Sequence, residues 1–82
     1  MVIITPSNQF KKDIKHLDSF QREKLEAQIK KILINPDVGK PLKYKRGERT
    51  VYVKPFRLIY AFRGDELILL KFQHRKEVYE RS

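Results

Sequence analysis

The chain has 82 residues, with 19 Lys and Arg against 10 Asp and Glu and a formal net charge of +9. That length suits one domain, residues 1–82, whose single core buries roughly 60–65% of the unfolded surface. The absence of cysteine excludes disulfides and thiolate metal sites, and His16 and His74 stand too far apart for a local metal motif, so no metal or other cofactor is expected.

Along the chain, Val2-Ile3-Ile4 is a β-branched run suited to one short strand. Thr5-Pro6 reads as a helix start, with Thr5 as N-cap and Pro6 at the first helical position. Phe10, Ile14 and Leu17 follow at i, i+4 and i+7 and form one apolar stripe. Asp18 with Gln21 three residues on resembles a capping box, and Leu25, Ile29, Ile32 and Leu33 carry a second stripe until Asn35-Pro36 stops it. Two stripes of this kind predict an antiparallel helical hairpin whose apolar side needs a sheet to cover.

Three runs rich in Val, Ile, Leu, Tyr and Phe, at about 49–54, 56–63 and 66–73, predict consecutive strands. Arg63-Gly64-Asp65-Glu66 fits a two-residue hairpin loop with glycine first. Counted outward from that loop, Phe62 pairs with Leu67, Tyr60 with Leu69 and Arg57 with Phe72, while a turn at Lys54-Pro55 sets Tyr52 opposite Arg57. Val51, Val53, Phe56, Leu58, Tyr60, Phe62, Leu67 and Leu69 then share one apolar face. Tyr52, Arg57 and Phe72 form a row on the other. The expected fold is α+β: an N-terminal strand, the helical hairpin on a mostly antiparallel four-stranded sheet, and a short C-terminal helix.

No apolar stretch approaches the ~20 residues that span a bilayer, and no basic leader precedes a long apolar run, so a cytoplasmic protein without a membrane partner is expected. The charge is concentrated. Residues 40–57 hold seven Lys and Arg against one acid, compared with seven against five in 1–39 and five against four in 58–82. Tyr44, Tyr52 and Phe56 interleave with those cations, the composition of an edge that binds a polyanion. Lys43, Lys45, Arg46, Arg49 and Lys54 suit contacts to a nucleic-acid backbone, with Tyr52 as a stacking platform for a base. Arg57 lies inside an apolar strand, where a charge is costly unless it pairs, for example with Glu77 or Glu80, or holds an anion such as a scissile phosphate. Arg75 offers a second guanidinium fork for phosphate oxygens. His74 is the one group nearby whose ordinary pKa suits proton transfer, and Tyr79 would share a face with Arg75 on a helical tail.

These segments, above all Tyr52-Val-Lys-Pro-Phe-Arg-Leu-Ile-Tyr60 and His74-Arg-Lys-Glu-Val-Tyr79, resemble the RelE/ParE superfamily of toxins from type II toxin-antitoxin pairs. The resemblance covers nearly the whole chain. It implies a fold like that of small microbial ribonucleases and a metal-independent endoribonuclease that cuts mRNA in the ribosomal A site. In that reaction the ribose 2′-hydroxyl attacks the adjacent phosphate, leaving a 2′,3′-cyclic phosphate and a 5′-hydroxyl. Arg57 matches the arginine that stabilises the phosphate, Arg75 the one near the leaving group, and Tyr79 the tyrosine that aligns the nucleotide. The enterobacterial RelE toxin has two alternating lysines where this chain has Thr50 and Tyr52. That leaves Lys54 and His74 as candidates for proton transfer. The implied partners are the ribosome, mRNA and a small acidic RelB-like antitoxin in a heteromeric complex. The alternatives are a ParE-like inhibitor of DNA gyrase and a noncatalytic RNA-binding relative.

Overall fold

The computed structural model describes residues 2–42 and 47–74. Strand β1 (Ile3–Pro6) leads into helix α1 (Asn8–Asp13) and helix α2 (Ser19–Ile34). A 3-10 turn (Pro36–Val38) follows, then β2 (Lys40–Pro41), β3 (Glu48–Val53), β4 (Phe56–Arg63) and β5 (Glu66–His74). The strands form one sheet in the order β1-β5-β4-β3-β2. The β1–β5 pair is parallel and the other pairs are antiparallel. Five strands rather than the expected four arise because Lys40 and Pro41 pair with Thr50 and Arg49. A two-residue strand containing proline has no pattern by which sequence could announce it. The expected C-terminal helix lies outside the described residues.

The helix start is corrected. Thr5 and Pro6 belong to β1, where proline is tolerated at the end of an edge strand, and the Thr5 hydroxyl donates to Glu66 Oε2 at 2.7 Å. The N-cap is Ser7, whose Oγ accepts from the Phe10 N–H at 3.0 Å. Helix α1 also stops at Asp13, short of the predicted stripe, yet Ile14 and Leu17 still pack against the core from the turn that follows. Asp18 caps α2 as expected and accepts from Gln21 N–H at 2.8 Å. Only that half of a capping box forms, since Gln21 Oε1 has no hydrogen-bond partner among the described residues.

Both helices cover one face of the sheet. Phe10, Leu25 and Ile32 meet Val51, Val53, Leu58, Tyr60, Leu67, Leu69 and Phe72 in one core, with Phe56 and Phe62 packed at its margin. The expected apolar face is therefore the core face. Around Gly64, whose φ of 55° suits glycine, the hairpin sets Phe62 opposite Leu67 and Tyr60 opposite Leu69, and β3 sets Tyr52 opposite Arg57.

The predicted pairing of Arg57 with Phe72 is corrected by a β-bulge. The ladder passes from Tyr60–Leu69 to Ile59–Lys71, leaving Leu70 as an extra residue. Leu58 therefore faces Phe72 and Arg57 faces Gln73. Phe72 turns into the core and stacks on Phe56 with ring centroids 4.8 Å apart. The segment around α1 satisfies the polar groups the bulge displaces. Ser7 Oγ donates to the Leu70 carbonyl at 2.7 Å, and Asp13 Oδ2 accepts from the Phe72 N–H at 2.9 Å. An unpaired buried backbone group costs about as much as a lost hydrogen bond, so Ser7 and Asp13 together make this register affordable.

Candidate nucleic-acid interface

On β4 the alternation of side chains sends Leu58 and Tyr60 into the core and Arg57 to the opposite face. The pairing with β3 brings Tyr52 beside it, and Arg57 Cζ lies 5.9 Å from the Tyr52 ring centroid, within cation–π reach. Tyr52 keeps 46% of its surface exposed, so one ring can both orient the guanidinium and offer area to a ligand.

Next to this pair the sheet edge opens. Strand β2 covers β3 only at Arg49 and Thr50, so Val51 to Val53 have no further strand beside them among the described residues. A cleft of about 460 Å³ occupies that place, lined by Gln28 of α2, Val38, Lys40, Thr50, Tyr52 and Arg57. A second, of about 340 Å³, adjoins it along α2 and shares Gln28 and Tyr52, adding Lys24, Lys31 and Lys54. Five of the described lining residues are cationic and none is acidic. Low-dielectric walls with charge of one sign concentrate the field on an anion. Lys24 ties the helix to the sheet here, with Nζ 3.4 Å from the Lys54 carbonyl and 4.9 Å from the Phe20 ring centroid.

The structure gathers Arg57, Tyr52 and Lys54 along this edge and separates two other candidates from them. Arg49 pairs with Tyr60 and so stands on the core face. Its guanidinium donates to the Gly39 carbonyl at 2.8 Å and the Asp37 carbonyl at 3.3 Å, and pairs with the Asp37 carboxylate at 3.3 Å. These bonds pin the 3-10 turn to the sheet. His74 is opposite Phe56, edge-to-face with its ring at 5.6 Å. The bulge puts it on the helix side of β5, the face opposite Arg57, rather than just beyond the row of Tyr52 and Arg57 as expected. Lys43, Lys45, Arg46, Arg75 and Tyr79, together with Glu77 and Glu80, lie outside the described residues.

Behind the cleft, Tyr60 is fully buried and its hydroxyl donates to the Pro36 carbonyl at 2.7 Å while accepting from the Gly39 N–H at 3.0 Å. Burial raises its pKa above the usual tyrosine value, against smaller lowering effects of the Gly39 bond and Arg49. Gly39 leaves no room for another residue: a Cβ there would sit 2.7 Å from the Tyr60 hydroxyl and 2.9 Å from the Thr50 carbonyl. This tight junction fixes Val38 and Lys40 in the cleft wall. Lys24, Gln28 and Lys31 were not among the residues expected from sequence, although their i, i+4, i+7 spacing marks one polar stripe beside the apolar stripe of α2.

Among solved structures the chain is similar to toxins and their complexes. It aligns with the RelB-RelE antitoxin-toxin complex from Methanococcus jannaschii at 22% identity and TM-score 0.76, covering 94% of this chain and 96% of the other. The isolated RelE toxin from E. coli aligns at 19% identity and TM-score 0.79, with 99% and 94% covered. The E. coli DinJ-YafQ complex aligns at 26% identity and TM-score 0.71, with 96% and 99% covered. No curated protein matches the chain significantly by sequence. Residues 4–79 match the sequence model for the ParE toxin of the type II toxin-antitoxin system parDE. With a matching sequence model over most of its length and the fold of the RelE-like toxins, the chain belongs to the ParE toxin family, within the RelE/ParE superfamily.

Proposed function

We propose that this toxin is a ribosome-dependent endoribonuclease that cleaves mRNA in the A site. The observation that carries the reading is Arg57, set by strand pairing beside the exposed Tyr52 at the rim of a cleft whose described lining holds only cations as charged groups. A guanidinium in that place suits a phosphate whose charge grows during attack. The 2′-oxygen bonds to phosphorus as the bond to the 5′-oxygen breaks. The proton leaves the 2′-hydroxyl and another reaches the departing 5′-oxygen, so a cyclic phosphate and a 5′-hydroxyl result. Arg57 holds the phosphate and steadies its extra charge, Tyr52 stacks on a neighbouring base, and Lys54 stands at the same edge as a source or acceptor of protons. Arg75 and Tyr79 retain the roles that the family resemblance implies, near the leaving group and on the nucleotide.

The ribosome presents the mRNA and a small acidic, RelB-like antitoxin restrains the toxin by covering the cationic cleft. Charge complementarity between such an antitoxin and the cleft would give fast, salt-sensitive association. The match to the ParE model supports one other reading, inhibition of DNA gyrase by the same scaffold. Mapping mRNA 5′ ends on programmed ribosomes separates the two. A-site cuts that disappear in Arg57→Ala support the nuclease. Intact mRNA together with blocked gyrase supercoiling overturns it in favour of gyrase inhibition.

A further inference from the structure

The cleft beside Arg57 has features that phosphate binding does not use. Its volume of about 460 Å³ lies within the ~300–1,000 Å³ of small-molecule sites, far more than a phosphate needs. One side carries Val38 and the exposed ring of Tyr52, surfaces suited to the flat face of a base. Two neutral polar side chains share the lining. The Gln28 side chain of α2 lines the cleft beside the bare edge of β3 and makes no hydrogen bond with another described residue. Thr50 has a buried hydroxyl that likewise lacks a partner among the described residues. A glutamine amide offers a donor and an acceptor side by side, matching the paired groups on a base edge. A buried hydroxyl without a partner gains a hydrogen bond when a ligand supplies one. Lys40 and Arg57 stand at the same cleft for the phosphates on either side of that base.

We propose that this cleft is a nucleobase pocket in which Gln28 and Thr50 read the base edge, making them specificity-determining residues of the toxin. The pocket rests on the reading of the cleft as an RNA site but does not require cleavage. The base stacks against Tyr52, its edge faces α2, and its flanking phosphate meets Arg57. Base identity is then sensed by neutral groups and affinity is supplied by cations, the usual division of labour in nucleic-acid recognition.

The test titrates the protein with four single-stranded RNA trinucleotides that differ only in the middle base, measuring affinity and following the Gln28 side-chain amide by NMR. Wild type should prefer one base, and Gln28→Ala or Thr50→Val should reduce that preference about fivefold, the size of one hydrogen bond. Thr50→Ser, which keeps the hydroxyl, should retain it, while Arg57→Ala should weaken all four ligands alike. Thr50→Val preserves β-branching and Gln28 lies at the surface of its helix, so circular dichroism should show both variants folded. Equal affinity for all four bases, or full preference in Gln28→Ala, overturns the pocket. Failure to bind any of the four overturns the pocket, while the cuts mapped on programmed ribosomes decide the nuclease reading separately. Base preference without mRNA cutting overturns the nuclease alone.

Discussion

Arg57 and Leu58 are adjacent on β4 and belong to opposite sides of the sheet. Leu58 has no exposed surface and packs among Tyr60, Phe72 and the residues of both helices. Arg57 stands against Tyr52 at a cleft lined by cations. The helix face is closed by mutual satisfaction: Tyr60 bonds the 3-10 turn, Arg49 pins it, and Asp13 takes up the N–H that the bulge displaces. The edge beside Arg57, where β3 meets α2, gathers like charges, an arrangement that costs stability and has value only when an anion arrives. Stability and recognition are thus divided between alternate residues of single strands.

Substitutions on the helix face should change stability in a graded way. Leu58→Ala should have the largest effect, destabilising by about 2–5 kcal/mol through the cavity it leaves and lowering the thermal midpoint by about 10 °C or more. Asp13→Ala leaves the Phe72 N–H without its acceptor and should cost about 1–3 kcal/mol by denaturant titration. It would also sharpen the division between the faces. If the bulge relaxes, the NMR contact between Leu58 and Phe72 should weaken as Phe72 slips toward Arg57.

Tyr60→Phe removes both bonds to the 3-10 turn and should cost about 1–2 kcal/mol at neutral pH. Because burial raises the Tyr60 pKa, the unfolded chain loses this proton first. The stabilisation from Tyr60 is complete below about pH 10, its unfolded value, and is lost as pH rises through the folded value. The stability gap between wild type and Tyr60→Phe should therefore narrow above about pH 10. The smallest effect is expected for Arg49→Ala, about 1 kcal/mol, since Asp37 is mostly exposed. The salt dependence of RNA binding should stay unchanged in that variant, whereas Lys40→Ala should reduce its slope by about one phosphate contact.

Much of this division was legible in sequence. Gly64 fixed the last hairpin, the two-residue period of β3 and β4 named the core face, and Asp18 and Asn35 marked both ends of α2. What sequence could not count was Leu70. A bulge without glycine leaves no mark, and one extra residue carried Phe72 into the core and His74 to the side of Phe56. Thr5-Pro6 misled for a related reason: a cap and an edge strand use the same residues, and pairing with β5 decided between them. Arg49 looked like its neighbours in a basic run, and only the carbonyls of Asp37 and Gly39 distinguish it. The cleft itself joins α2 to β3, elements whose approach no local pattern records.

The most direct measurement compares Arg57→Ala with Leu58→Ala in two assays, thermal unfolding and the mapping of mRNA ends on programmed ribosomes. Arg57→Ala should unfold near the wild-type midpoint yet lose about 10²–10³-fold in cleavage rate, whereas Leu58→Ala should lose midpoint and still cut at the same positions below it. Wild-type cleavage by Arg57→Ala, or a fall in its midpoint as large as that of Leu58→Ala, would contradict the assignment of Arg57 to recognition and chemistry.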